Sequence, residues 1–177
     1  MKKAVFIDRD GILNELDPER PKWVPTDVDQ FKVTPGIRLL LKRLRDAGFI
    51  IIVTTHQPGI SDGTLSRKML NRMHDILLSL KLVDDIMVCP HKADEKCDCC
   101  PPEPGLFEEA RSKHLLTINY YFAISTRWQE MDAIKHVGGI PIQIKSPKNA
   151  KKNLIPTVKN FQEAVQRILY LDKKNYS

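Results

Sequence analysis

Asp8-Arg9-Asp10-Gly11 sets two carboxylates two residues apart, directly after the apolar run Ala4-Val5-Phe6-Ile7. Acids so placed suit phosphoryl transfer: one carboxylate attacks phosphorus while the other gives or takes a proton at the ester oxygen. Carboxylates repel a phosphate, so the chemistry calls for a divalent cation, usually Mg²⁺. Thr54-Thr55-His56 follows a second apolar run and offers a hydroxyl and backbone N–H groups to a phosphate. The same hydroxyls could instead cap the next turn. His56 stands where it could touch a leaving group or simply pack.

A second kind of chemistry is written in Cys89-x-His91-x5-Cys97-x-Cys99. One imidazole and three thiolates at this spacing match a closed, tetrahedral structural zinc site. A secreted disulfide framework would spread its cysteines along the chain, and here all four lie within twelve residues. Cys100 is left over, either an alternative ligand or, on the preferred reading, a free thiol without a role. With no open coordination position, zinc here stiffens a long loop and performs no catalysis.

The elements that must position these residues follow from hydrophobic spacing. Ala4–Ile7 reads as a buried strand delivering Asp8 at its C-terminal end. Residues 13–34, with Pro18, Pro21 and Pro25 followed by Pro35, read as an irregular loop or small flap. Ile37, Leu40, Leu41, Leu44 and Ala47 follow helical spacing up to Gly48. Phe49–Val53 is the clearest strand. A helix after Thr64 carries Leu65, Met69, Met73, Ile76, Leu77 and Leu80 on one face. Strands at Asp85–Val88, Tyr120–Ile124 and Ile140–Ile144 alternate with helices at Gly105–His114 and Gln129–Val137, and Phe161–Leu171 closes the chain. The Ile140–Ile144 strand is expected at the sheet edge. Alternating strands and helices imply βαβ crossovers, hence an α/β domain with a mostly parallel sheet and helices on both faces. Ligands then sit beyond the carboxyl ends of the strands, where Asp8, Thr55, the cysteine loop and Ser125–Arg127 converge.

The 177 residues, 42% hydrophobic, suffice for one domain with a proper core. No run approaches the ~20 apolar residues of a membrane span, and the N-terminus enters a strand directly, so the expectation is a cytoplasmic protein. The net charge of +6 is uneven. Residues 145–177 hold eight basic side chains against Glu163 and Asp172, and the remainder is balanced. Such a tract could touch an acidic partner. It lacks the aromatic and glycine pattern of a nucleic-acid binder, and its charge is remote in sequence from the zinc loop. A solvated surface is the simpler reading.

Taken in order, strand–DRDG, strand–TTHQPGI, CPH…CDC…P-x-PG and strand–xxRW resemble the haloacid dehalogenase superfamily. Within it they resemble the zinc-loop branch of heptose 1,7-bisphosphate 7-phosphatases and histidinol-phosphate phosphatase domains. The resemblance runs from about Lys3 to Ile144, leaving 145–177 as a basic C-terminal segment with the closing helix. It implies a Rossmann-like three-layer domain with almost no cap, phosphomonoester hydrolysis and Mg²⁺. It also implies Asp8 as the nucleophile that becomes an aspartyl-phosphate, and Asp10 as general acid/base and metal contact. Thr55, with His56, Gln57 and Arg127, takes the phosphate and substrate side. Cys89, His91, Cys97 and Cys99 are the zinc ligands.

The departures are equally specific. The branch has Asn where this chain has His56, and Arg-Lys where it has Cys100-Pro101. The branch reads Gly-Asp-Arg-Trp-x-Asp where this chain reads Ser125-Thr126-Arg127-Trp128-Gln129-Glu130. A lysine and a metal carboxylate are thus lost, and removing one fixed charge partner of a transition state commonly costs ~10²–10³ in rate. Glu130, and less well Asp132, could replace the metal carboxylate; Lys92, Lys96 or Lys113 could supply the cation. Two expectations follow: a phosphatase of reduced or altered activity on a small sugar or polyol phosphate, or a degenerate scaffold that binds or regulates. The substrate's identity and the oligomeric state are not written in these residues.

Overall fold

The computed structural model describes residues 2–20, 23–116, 120–146, 155 and 157–175. Its elements are β1 (Lys3–Asp8), α1 (Ile37–Asp46), β2 (Phe49–His56), α2 (Arg67–Ser79), β3 (Asp85–Cys89), α3 (Gly105–His114), β4 (Tyr121–Ser125), α4 (Trp128–His136), β5 (Ile140–Ile144), β6 (Thr157–Val158) and α5 (Phe161–Asn175). The strands form one six-stranded sheet in the order β3-β2-β1-β4-β5-β6, and every pairing is parallel.

Strand alternation builds the two cores. In β1, Val5 and Ile7 join Leu41 and Leu44 of α1, Met73 and Leu77 of α2, and Val165 and Ile168 of α5. Ala4 and Phe6 face the other way, onto Phe107 of α3 and Ile134 of α4. Phe6 meets Phe107 edge to face at 5.0 Å, the geometry that the ring quadrupoles favour. Helices therefore cover both faces, as the βαβ pattern requires. Lys3 Nζ pairs with Asp172 at 2.9 Å and ties the first strand to the last helix.

Two expectations are corrected. β2 runs on to His56, because Thr54 and Thr55 are buried and keep pairing with β3 as far as His56↔Cys89. β5 is not an edge strand: Gln143 and Ile144 pair with the two-residue β6, which is too short to carry a pattern. Between β1 and α1 the described residues hold only a 3₁₀ turn at Val28–Gln30, consistent with a nearly capless domain. Of the basic tract, Lys148, Lys151 and Lys152 lie outside the described residues.

Candidate active site

β1 and β2 end side by side, with Asp8 in register with Thr54. That alignment gathers Asp8, Asp10, Thr55 and Gln57 at one rim of the sheet. Past Asp10 the chain turns at Gly11, whose φ of 84° suits a residue without Cβ. The Arg9 carbonyl accepts from the backbone N–H groups of Leu13 and Asn14, closing the turn.

Asp8 is buried, and Ser125 Oγ donates to its Oδ2 at 2.9 Å, fixing the carboxylate's rotation. Burial pushes its carboxyl above the usual carboxylate range, against the pull of Arg127. Asp10 is held from two sides. Arg9 donates through Nη2 at 2.9 and 3.1 Å and through Nε at 3.2 Å. Gln57 Nε2 lies 2.7 Å from Asp10 Oδ2 and 2.7 Å from Thr55 Oγ1, so one amide links the acid to the threonine.

Glu130, in the first turn of α4, is 1% exposed, and neither carboxylate oxygen has a hydrogen-bond partner. Arg127 Nη2 lies 3.1 Å from its Oε1, an ion pair without hydrogen-bond geometry. Burial and the Asp8 charge push the Glu130 carboxyl up to about 8. The unpartnered Glu130 oxygens are hard donors of the kind that suit a small dication. The Arg127 charge also acts on Asp8 and Asp10, although Arg9 is the cation bonded to Asp10. The lysines considered for that duty lie elsewhere: Lys113 pairs with Asp85 at the opposite end of β3 (2.8 Å), and Lys92 and Lys96 are exposed on the cysteine loop.

The sulfur and nitrogen atoms of Cys89, His91, Cys97 and Cys99 lie within 4.8 Å of one another. Their closest separations run from 3.3 Å (His91 Nδ1–Cys99 Sγ) to 3.9 Å (Cys89 Sγ–His91 Nδ1). A zinc ion bonded to sulfur at about 2.3 Å spaces tetrahedral ligands about 3.8 Å apart, so the four residues fit that ion. Burial pushes the Cys89 and Cys99 thiols up, and a bound cation is what stabilises thiolates held so close.

The loop and the crevice are joined. His56 Nε2 lies 2.7 Å from the His91 carbonyl and 3.5 Å from Cys100 Sγ. Two of the residues that set this chain apart in the sequence reading, His56 and Cys100, therefore touch each other. Burial holds the His56 imidazole below its ordinary value, against the bond to His91. The Gln57 N–H donates to the Cys89 carbonyl at 2.8 Å, a second tie between β2 and the loop.

Beside Asp8 and Asp10 opens a cavity of about 680 Å³, bordered by His56, Thr126, Arg127, Leu16 and Trp23 of the flap, and by Lys145 and Lys159 of the basic segment. Three residues were missing from the sequence-derived site: Arg9, fully buried; His74 of α2, 6% exposed and bonded to Arg9; and Ser125 as a partner of Asp8. His74 is four residues after Leu70 and three before Leu77, both buried, and this stripe was the available signal.

A parallel sheet with an aspartate pair at the end of its central strand, beside a threonine-ended neighbour, is the architecture of haloacid dehalogenase-type phosphatases. The D,D-heptose 1,7-bisphosphate phosphatase of B. bronchiseptica, crystallised with magnesium and phosphate, superposes with a TM-score of 0.83 at 22% identity over 97% of this chain and 99% of that one. The D-glycero-alpha-D-manno-heptose-1,7-bisphosphate 7-phosphatase of Photorhabdus laumondii is 32% identical over 148 residues, 77% of this chain and 78% of its own. The histidine biosynthesis bifunctional protein HisB of Legionella pneumophila is 31% identical over 143 residues, 78% of this chain but only 40% of the longer protein. No family model matches the chain. The chain belongs to the D-glycero-D-manno-heptose-1,7-bisphosphate 7-phosphatase family.

Proposed function

We propose that the chain hydrolyses a small sugar or polyol phosphate through an aspartyl-phosphate on Asp8, with Asp10 as general acid and base. The observation that carries this reading is the pair Asp8 and Asp10 at one cavity, with Gln57 linking Asp10 to Thr55 at the same rim of the sheet. Asp8 forms the bond to phosphorus as the ester P–O bond breaks, and Asp10 delivers the proton that the leaving oxygen needs. Asp10 then takes a proton from water, which displaces Asp8 and frees inorganic phosphate. Thr55 and Arg127 hold the phosphoryl oxygens, and His56 and Gln57 border the substrate. Asp8, Asp10 and Glu130 would hold Mg²⁺, which when bound offsets the charge of the carboxylates and phosphate. Cys89, His91, Cys97 and Cys99 would hold a structural zinc.

On this reading the protein is a single domain that works in the cytoplasm on a small phosphorylated metabolite, with no role for nucleic acid. No helix among the described residues is long and apolar enough to cross a membrane. Arg127, half-buried at the crevice and paired with Glu130, favours turnover over a purely binding scaffold, because it brings a positive charge to the place where the resemblance leads one to expect a lysine.

The test is phosphate release with excess Mg²⁺ from a panel headed by heptose 1,7-bisphosphate, with histidinol phosphate and simple polyol phosphates beside it. Asp8→Asn, prepared identically and loaded with zinc, is the control. Release that disappears in Asp8→Asn supports the proposal; release equal in both proteins, or absent from both, rejects it for that panel.

A further inference from the structure

Arg9 has no exposed surface, and every edge of its guanidinium is used. Nε and Nη2 grip the Asp10 carboxylate, and Arg9 Nη1 lies 3.1 Å from His74 Nε2. The guanidinium also lies over the Phe31 ring, 5.6 Å from its centre. A guanidinium has donors only, so the His74 nitrogen facing it must accept. This fixes a neutral imidazole with its proton on Nδ1. A second proton on the ring would set two cations edge to edge in a buried place.

We infer that His74 is a positioning residue for Asp10: by accepting from Arg9 Nη1 it locks the guanidinium fork that sets the direction of the acid/base carboxylate. The inference rests on the role of Asp10 proposed above. Asp10 needs such a hold because its side chain is partly exposed at the mouth of the cavity. Without His74, Arg9 Nη1 is buried with no acceptor, and the fork turns to find one. Small rotations at that point displace the Asp10 oxygens, and misplacement near 1 Å costs about 10²-fold in reactions that depend on orientation. Burial agrees with the tautomer, since it lowers the His74 imidazole to about 3 and keeps it neutral in ordinary buffers.

His74→Leu removes the acceptor and keeps an apolar side chain on the buried stripe of α2, whereas His74→Gln returns an acceptor at similar reach. In zinc-loaded proteins of equal thermal stability, His74→Leu is expected to lower kcat about tenfold to a hundredfold while leaving KM within about twofold. His74→Gln is expected to recover most of the loss. A His74→Leu protein with the wild-type kcat, or Leu and Gln variants equally impaired, overturns the inference. Nitrogen NMR of the unmodified protein gives a readout independent of activity. It should show His74 protonated on Nδ1 alone, with slowly exchanging Arg9 guanidinium protons; an Nε2–H tautomer refutes the clamp. If the wild type shows no Asp8-dependent release, the phosphatase reading fails, and this spectrum decides the clamp by itself.

Discussion

Glu130, which the sequence resemblance sets against an aspartate one methylene shorter, is buried and its carboxylate has no hydrogen-bond donor. Asp8 lies near enough to raise its pKa. Two buried like charges repel unless a proton or a cation lies between them. Glu130→Gln is therefore expected to weaken Mg²⁺ binding by at least tenfold in a calorimetric titration, and to abolish any rise in melting temperature that Mg²⁺ gives the wild type. The same residue shows what a sequence can disclose. Glu130 was legible as a candidate ligand because it stands one helical turn beyond Thr126, and the structure adds that it is buried without a hydrogen-bond partner. The pairing of Arg127 with Glu130 was not legible: a guanidinium that meets a buried carboxylate at 3.1 Å is a fact of packing, which spacing does not encode.

At the scale of elements, α2 and the cysteine loop each hold part of the crevice. His74 is buried on α2 with a pKa near 3, against an ordinary value of 6.5. The unfolded chain binds a proton at this residue below about 6.5, and the folded chain does so only near 3. Stability therefore falls as the pH drops from about 6.5 toward 3, by an amount on the order of 4 kcal/mol. Denaturant unfolding at pH 7 and pH 4.5 should show a larger loss for the wild type than for His74→Leu; equal losses would count against a buried neutral His74. The cysteine loop gives a second prediction. Its zinc would hold the His91 and Cys89 carbonyls that receive His56 and the Gln57 N–H. Cys97→Ser, or a strong chelator, is expected to cost several kcal/mol of stability and to raise KM, measured by scanning calorimetry and kinetics on the same samples. These elements were read well where apolar runs or residue types announced them: Gly105–His114 is found as expected. They were read badly where burial overrode polarity, as at Thr54 and Thr55, or where β6 offered only two residues.

For the whole molecule, the excess positive charge lies in the last fifth of the chain, and two of its members reach the cavity mouth. Lys145 and Lys159 border the same space as Asp8, and Lys159 is only loosely paired with Glu163, at 3.8 Å. An exposed lysine contributes little binding energy by itself but raises the local concentration of an anionic substrate. The double replacement Lys145→Ala, Lys159→Ala is expected to raise KM for a phosphate ester about twofold to fivefold at low salt, leave kcat alone, and lose that difference in high salt. Composition showed the charge asymmetry; only the fold shows that part of it borders the crevice.

The hydrogen bond from Ser125 to Asp8 joins residues 117 positions apart, and β1 lies between β2 and β4. The strand that ends in Asp8 cannot gain both neighbours until most of the chain is available to fold. Long closures of this kind are slow, because the chain loses entropy before the contacts form. During refolding, the β1–β2–β3 half should therefore become protected from hydrogen exchange first, with Asp8 still open to water on one side. Catalysis should return in a later kinetic phase, when β4 docks and Ser125 reaches the carboxylate.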